Sequence, residues 1–135
     1  MSSRAIALDP ANPIPIWKQI EDGIRRLVAS GALKPGAAVP SVRELAGDLQ
    51  VNPATVSRAY QRLVEQGILS VRRGDGTYVA PDPPSRPSAE RNRELKDAAL
   101  RFASAAATLG ASEEQAIAET RAAFRHLASG ERRER

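Results

Sequence analysis

Residues 40–60, Pro40-Ser41-Val42-Arg43-Glu44-Leu45-Ala46-Gly47-Asp48-Leu49-Gln50-Val51-Asn52-Pro53-Ala54-Thr55-Val56-Ser57-Arg58-Ala59-Tyr60, hold two helix starts separated by a tight link. Ser41 with Glu44 three residues on is a capping box, in which each side chain satisfies a backbone N–H at the helix entrance. Val42, Leu45, Ala46 and Leu49 then recur at helical spacing and make one apolar face. Gln50-Val51-Asn52 forms the link. Pro53 is tolerated in a first turn because its missing N–H would be unpaired there anyway. It opens a second helix expected to run to about Gln66, with Val56, Tyr60, Leu63 and Val64 inward and Gly67 as the stop. Two short helices on a three-residue link are a helix-turn-helix.

Outward from this pair, the pattern completes a small domain. On the N-terminal side, Trp17, Ile20, Ile24, Leu27 and Val28 give one apolar face to a helix that starts near Pro15 and ends at Gly31. Leu33, in the turn that follows, is expected to tuck back on the core. Residues 1–13 are polar and broken by prolines, and read as an extended lead-in. On the C-terminal side the period changes to that of strands. Residues 68–73 and 77–80 read as a hairpin around Gly74-Asp75-Gly76. Three helices and a hairpin, in that order, make a winged helix-turn-helix over residues 1–80.

Residues 81–90 are expected to be a Pro-rich, semi-rigid linker. Residues 91–128 read as a helical hairpin, broken at Gly110, with Ser112 and Gln115 capping its second helix. Its apolar positions include Leu95, Phe102, Leu109, Ile117, Phe124 and Leu127. Two amphipathic helices cannot bury both stripes against each other alone. These six residues are therefore expected to form a homodimer interface. Residues 129–135 read as a charged tail. The fold class is thus mainly α with a small β-hairpin wing, followed by a two-helix C-terminal dimerisation segment.

Composition narrows the function. With 135 residues the chain is short for an enzyme with a large cleft. There are no cysteines, and the single histidine, His126, has no cluster of acids around it, so no metal site or cofactor is expected. No Ser/His/Asp set or carboxylate pair has catalytic spacing, and no catalytic residue is assigned. Residues 1–80 carry ten Lys/Arg against seven Asp/Glu, a balance permissive for a polyanion. No apolar run approaches the roughly 18 residues of a membrane span, and the N-terminus lacks a signal-peptide core, so a cytoplasmic protein is expected.

The outward residues of the second helix of the pair suit a major groove. Asn52, Ala54, Thr55 and Ser57 are short, Ala and the Thr methyl can meet a thymine methyl, and Arg58 can grip guanine or phosphate. Ser41 and Arg43 stand at the start of the preceding helix. Arg72, Arg73 and Gly74 form a hairpin tip able to approach the sugar-phosphate backbone. Trp17, at helical spacing with Ile20, reads as packing.

Pro15-Ile16-Trp17-Lys18-Gln19-Ile20, Leu33-Lys34-Pro35-Gly36, residues 40–46, residues 51–60 and Arg73-Gly74-Asp75-Gly76-Thr77-Tyr78-Val79 resemble the GntR family of bacterial regulators. The resemblance covers residues 8–80 in order and spacing. The Leu109-to-Glu114 junction is similar to that of the YtrA subfamily, whose effector part is two helices. The resemblance implies a dimeric repressor of a nearby operon, often one encoding an ABC transporter. It implies double-stranded operator DNA as the partner, with contacts from Arg43, Asn52, Thr55, Ser57, Arg58 and Gly74. The MocR-type branch shares the pattern of residues 52–60 but adds an aminotransferase-like domain that cannot fit in this length. The family commonly has Gly before Val51, where this chain has Gln50. A left-handed backbone there would cost roughly 1 kcal/mol. The alternative is a winged-helix adaptor for protein or RNA contacts, since a fold does not dictate its partner. Any small-molecule effector is expected at the dimer interface or between head and hairpin.

Overall fold

The computed structural model describes residues 6–84 and 88–132, which fall into two compact units, one built on residues 6–84 and the other on two C-terminal helices. The first contains α1 (Ile16–Ser30), β1 (Ala38–Val39), α2 (Val42–Leu49), α3 (Pro53–Glu65), β2 (Leu69–Arg72) and β3 (Gly76–Val79). The second contains α4 (Ser88–Thr108) and α5 (Glu113–Arg132).

The three helices of the first unit enclose a single core. Ile20, Ile24 and Leu27 of α1, Leu45 and Ala46 of α2, and Val56, Ala59, Tyr60 and Leu63 of α3 are buried together. Leu33 closes one end of the core, its N–H donating to the Leu27 carbonyl, as its position after Gly31 predicts. Ile68, Leu69 and Val79 bring the wing onto the same cluster. Full burial of each large aliphatic side chain contributes about 1.5–3 kcal/mol, so this cluster dominates the unit's stability. Val64, expected inward, is 37% exposed. One residue past Leu63 the helix has turned about 100°, which carries Val64 out of the core, and Ala59 fills the inner row instead.

The hairpin is the central feature of a three-stranded antiparallel sheet in the order β1-β3-β2. Leu69 faces Val79 and Val71 faces Thr77 across the β2–β3 pair, while Ala38 faces Tyr78 across β1–β3. The expected reading had no β1. Two residues carry no periodicity, and only the free edge of β3 gives them a strand's partner.

The lead-in is folded rather than extended. Ile6 is buried and packs over Gly23, where an added Cβ would lie 3.2 Å from Ile6 Cγ2. Asp9 and Asn12 make local turns, Oδ1 of each accepting from the backbone two residues on. Gln19 of α1 clips this segment: its Nε2 donates to the Asp9 and Ile14 carbonyls, and its Oε1 accepts from Asp9 N–H. Residues 1–5 of the expected lead-in lie outside the described residues.

Gln50 ends α2 with φ 56° and ψ 49° and is the only non-glycine residue at positive φ among the described residues. Its N–H donates to the Gly47 carbonyl and that of Val51 to the Ala46 carbonyl, respectively the 5→2 and 6→1 bonds of a Schellman ending. Because Cβ crowds the carbonyl in this region, Gln50→Gly is expected to stabilise the unit by up to about 1 kcal/mol. Urea unfolding read by tryptophan fluorescence checks this; an unchanged or lower midpoint would refute it.

In the second unit, α4 begins at Ser88, so helix replaces the last three positions of the expected linker; Glu90 in its first turn favours that start. Gly110, at φ 77°, ends α4. Ser112 and Gln115 cap α5 reciprocally, Ser112 Oγ accepting from Gln115 N–H at 3.2 Å and Gln115 Oε1 from Ser112 N–H at 2.8 Å. No proline interrupts α5 before Arg132, so the helix continues through positions 129–132, where a charged tail was expected. Among the side chains described in this unit only Ala106, at the elbow, is buried; Ala111 and Ala116 beside it, and Leu127 further along α5, are half-buried. Leu95 (70%), Leu109 (85%) and Phe124 (69%) are mostly exposed.

Candidate nucleic-acid interface

The surface begins with the two caps that aim its helices. Ser41 Oγ accepts from Glu44 N–H at 3.1 Å and Glu44 Oε1 accepts from Ser41 N–H at 3.2 Å, the capping box expected for α2. Asn52 caps α3, its Oδ1 accepting from Ala54 N–H at 2.8 Å, with Pro53 in the first turn. Each side-chain cap contributes about 1 kcal/mol. Capping occupies the oxygens of Ser41 and Asn52, and Asn52 keeps its Nδ2 as a donor.

Tyr60 fixes α3 against the start of α2. Its ring is buried and its hydroxyl donates to the Pro40 carbonyl at 2.7 Å. Burial, reinforced by the Glu44 carboxylate, pushes this phenol well above its usual range, so it stays a donor. Arg43 stands three residues beyond Pro40, exposed in the first turn of α2. Ala54 is exposed, and Thr55 and Ser57 are half-buried on the first turns of α3. Ser57 shares a cavity of about 490 Å3 with Val42 of α2, Tyr60 and Val64 of α3, and Val71 and Thr77 of the wing. The start of α2, one flank of α3 and the wing therefore border one groove.

At the wing tip, Gly74 takes φ 74° and the Asp75 N–H returns to the Arg72 carbonyl at 3.0 Å. Gly74 is open to solvent, and a Cβ there would meet nothing within 4 Å. Arg73 is exposed. Arg72 stacks on Tyr78, its guanidinium carbon 3.9 Å from the ring centroid. A hydrogen bond to Asp75, with partial burial and the Asp75 charge, pushes the Tyr78 hydroxyl up. Tyr78 thus ties together an arginine and an acid that flank the tip, a role the sequence reading did not give it. The register, Ser70 facing Tyr78 and Arg72 facing Gly76, puts Arg72 on the diagonal from Tyr78.

Arg58 lies on the other flank of α3. Its guanidinium carbon is 4.2 Å from the centroid of Trp17, and that of Arg62 is 5.0 Å from the same ring. Beneath them Glu21 is fully buried. Its carboxylate accepts from Arg62 Nε at 3.1 Å and Gln66 Nε2 at 2.6 Å, and lies 3.5 Å from Lys18 Nζ. Gln66 Oε1 is buried, and no hydrogen-bond partner lies within reach of it among the described residues. No sequence pattern singles out Glu21, whose hydrogen-bond partners come from the end of α3, and Trp17 reads as packing from its spacing. The ring is half-buried, and two guanidinium groups lie over it.

Among the described residues no group of three or more His, Cys, Asp or Glu side chains could hold a metal ion, and no helix is long and apolar enough to cross a membrane. The surface offers hydrogen-bond donors, arginines and small residues, the groups that groove recognition uses.

Comparison with known proteins identifies the family of the first unit. The family description "Bacterial regulatory proteins, gntR family" matches residues 17–79, from Trp17 of α1 to the end of β3. The chain is 45% identical over 75 residues to the HTH-type transcriptional repressor YtrA of Bacillus subtilis, a match covering 56% of this chain and 58% of that protein. The chain therefore matches less than two thirds of that relative's length. It superposes on YtrA from Sulfolobus acidocaldarius, a GntR-family transcription factor, with a TM-score of 0.56 and 39% identity, over 72% of this chain and 98% of that one. The DNA-binding domain of AraR in complex with operator ORX1 aligns with a TM-score of 0.50 and 29% identity, over 55% of this chain and 92% of that one.

Proposed function

Since the chain belongs to the gntR family of bacterial regulatory proteins, we propose that it is a cytoplasmic, YtrA-type repressor that acts as a dimer on an inverted-repeat operator near its own gene. The observation that carries this reading is the exposed entrance of α3. Asn52 and Pro53 start the helix, Ala54 is open to solvent, and Thr55, Ser57 and Arg58 follow within the next turns. Small residues at a helix entrance let the backbone approach base edges, and the helix N-terminus favours a phosphate nearby. In this reading Ser41 and Arg43 contact the groove or its bordering phosphates from α2, and Arg72, Arg73 and Gly74 contact the sugar-phosphate backbone or minor groove from the wing.

Dimerisation belongs to the same proposal. The operator contains two half-sites, about one helical turn apart centre to centre, and Leu95, Phe102, Leu109, Ile117, Phe124 and Leu127 bury themselves against a second copy. The target operon, such as one for an ABC transporter, is inferred from the family. A small-molecule effector would act by changing how the two reading heads are spaced.

The test is binding to DNA from the upstream region of the chain's own gene. Wild type is expected to protect a two-fold site in a footprint, and Arg43→Ala to weaken specific binding by about 1–3 kcal/mol without changing the thermal unfolding midpoint. Equal binding by wild type and Arg43→Ala would remove α2 from the reading surface. Absence of any footprint, across fragments and at low salt, would favour a winged-helix adaptor for protein or RNA.

A further inference from the structure

We propose that Trp17 is a positioning residue for a DNA-backbone contact made by Arg58, so that the Trp17–Arg58 stack is a phosphate clamp on the α1 side of α3. This rests on the reading of α3 as the DNA-facing helix and specifies the class of one contact within it. The two arginines beside Trp17 differ in what else holds them. Arg62 donates its Nε to Glu21 at 3.1 Å, so its guanidinium is turned toward the protein. Arg58 is exposed, and among the described residues no carboxylate lies within ion-pair distance of it; the ring, 4.2 Å away, is what holds it.

Stacking uses the face of a guanidinium and leaves its in-plane N–H groups at the edge. Those donors suit a planar or tetrahedral oxyanion, and Trp17 narrows the rotamers from which Arg58 must be recruited. The flank also decides the kind of contact. Ser57 lies on the groove shared with the wing, whereas Arg58, about 100° further round the helix, lies over the first turn of α1. An arginine drawn sideways onto a neighbouring helix is directed to the strand bordering the groove rather than along α3 to base edges. Contacts to that strand position the protein and carry no base information.

The experiment measures affinity against salt concentration for the operator and for an unrelated duplex, using wild type, Arg58→Ala, Trp17→Leu, Trp17→Phe, the double variant Trp17→Leu/Arg58→Ala, and Arg43→Ala. Arg58→Ala is expected to weaken binding to both duplexes alike, by roughly tenfold. It should also reduce the slope of log K against log salt by about 0.9, the signature of one phosphate lost. Trp17→Leu is expected to lower affinity for both duplexes in the same way, Trp17→Phe to restore most of it, and the double variant to bind no worse than Arg58→Ala. Thermal unfolding of Trp17→Leu and Trp17→Phe separates loss of fold from loss of positioning.

Additive losses in the double variant would overturn the proposal, as would an Arg58→Ala effect confined to the operator. If wild type binds the operator and Arg43→Ala weakens it while Arg58→Ala and Trp17→Leu bind like wild type, the clamp alone is refuted. If wild type binds neither duplex, the DNA-binding reading itself fails, and the clamp with it.

Discussion

From the proposed dimer, a chain carrying Ile117→Asp and Phe124→Asp is expected to sediment as a monomer and wild type as a dimer, and the variant to bind a two-half-site operator roughly 10²–10⁴-fold more weakly, the range set by losing one of two linked binding events. Both positions are on α5 and are 43% and 69% exposed, so a charge there can reach water in the single chain, and neither belongs to the first unit's core. In a dimer the same charge would be buried unpaired against apolar surface, where a carboxylate is tolerated poorly. Affinity for a single half-site should be unchanged, because the first unit's core, from Ile6 to Val79, contains no residue of α5. Sedimentation velocity and binding to whole and half operators check the two parts separately. A double variant that remains dimeric would move the interface elsewhere.

Glu21→Ala is expected to cost about 2–3 kcal/mol of stability, the largest effect of any polar substitution in the first unit. The carboxylate is fully buried and accepts from Arg62 and Gln66, with Lys18 beside it. Hydrogen bonds to a charged group contribute about 1.5–3 kcal/mol each, and their loss leaves the Gln66 amide without an acceptor. The total is kept low because Arg62 and Lys18 are 42% and 34% exposed and can return to water.

The loss should also depend on pH. Burial pushes the Glu21 carboxyl up, but hydrogen bonds from Gln66 and Arg62 and the charges of Lys18 and Arg62 outweigh it, and the net pKa lies below the usual glutamate value. A depressed folded-state pKa means the unfolded chain takes up the proton first. The contribution is therefore complete above the unfolded value of about 4.3 and is lost as pH falls through the folded one. Urea unfolding of wild type and Glu21→Ala is expected to show a large difference at pH 7 that narrows below pH 4. A constant difference across that range would assign the loss to packing alone.

Local chemistry was legible without coordinates. The apolar rows of α1, α2 and α3, the capping pairs Ser41–Glu44 and Ser112–Gln115, the stops at Gly31 and Gly110 and the β2–β3 hairpin all depend on residues within four positions or on a tight turn. The strain at Gln50 was legible only through the family resemblance, in which Gly commonly precedes Val51 where this chain has a residue with a Cβ.

The sequence by itself thus determined the helices, the wing and the face of α3 open to a groove, because periodicity, capping and turn chemistry act between neighbours along the chain. Only the tertiary structure decided which distant side chains meet. Ile6 reaches the core over Gly23, Ala38 and Val39 become a strand against β3, and Glu21, Arg62 and Gln66 close on each other from 41 and 45 positions apart. It also placed Arg58 on Trp17. Such contacts follow from how α1 crosses α3, and that crossing is set by the shape of the whole core rather than by any short segment.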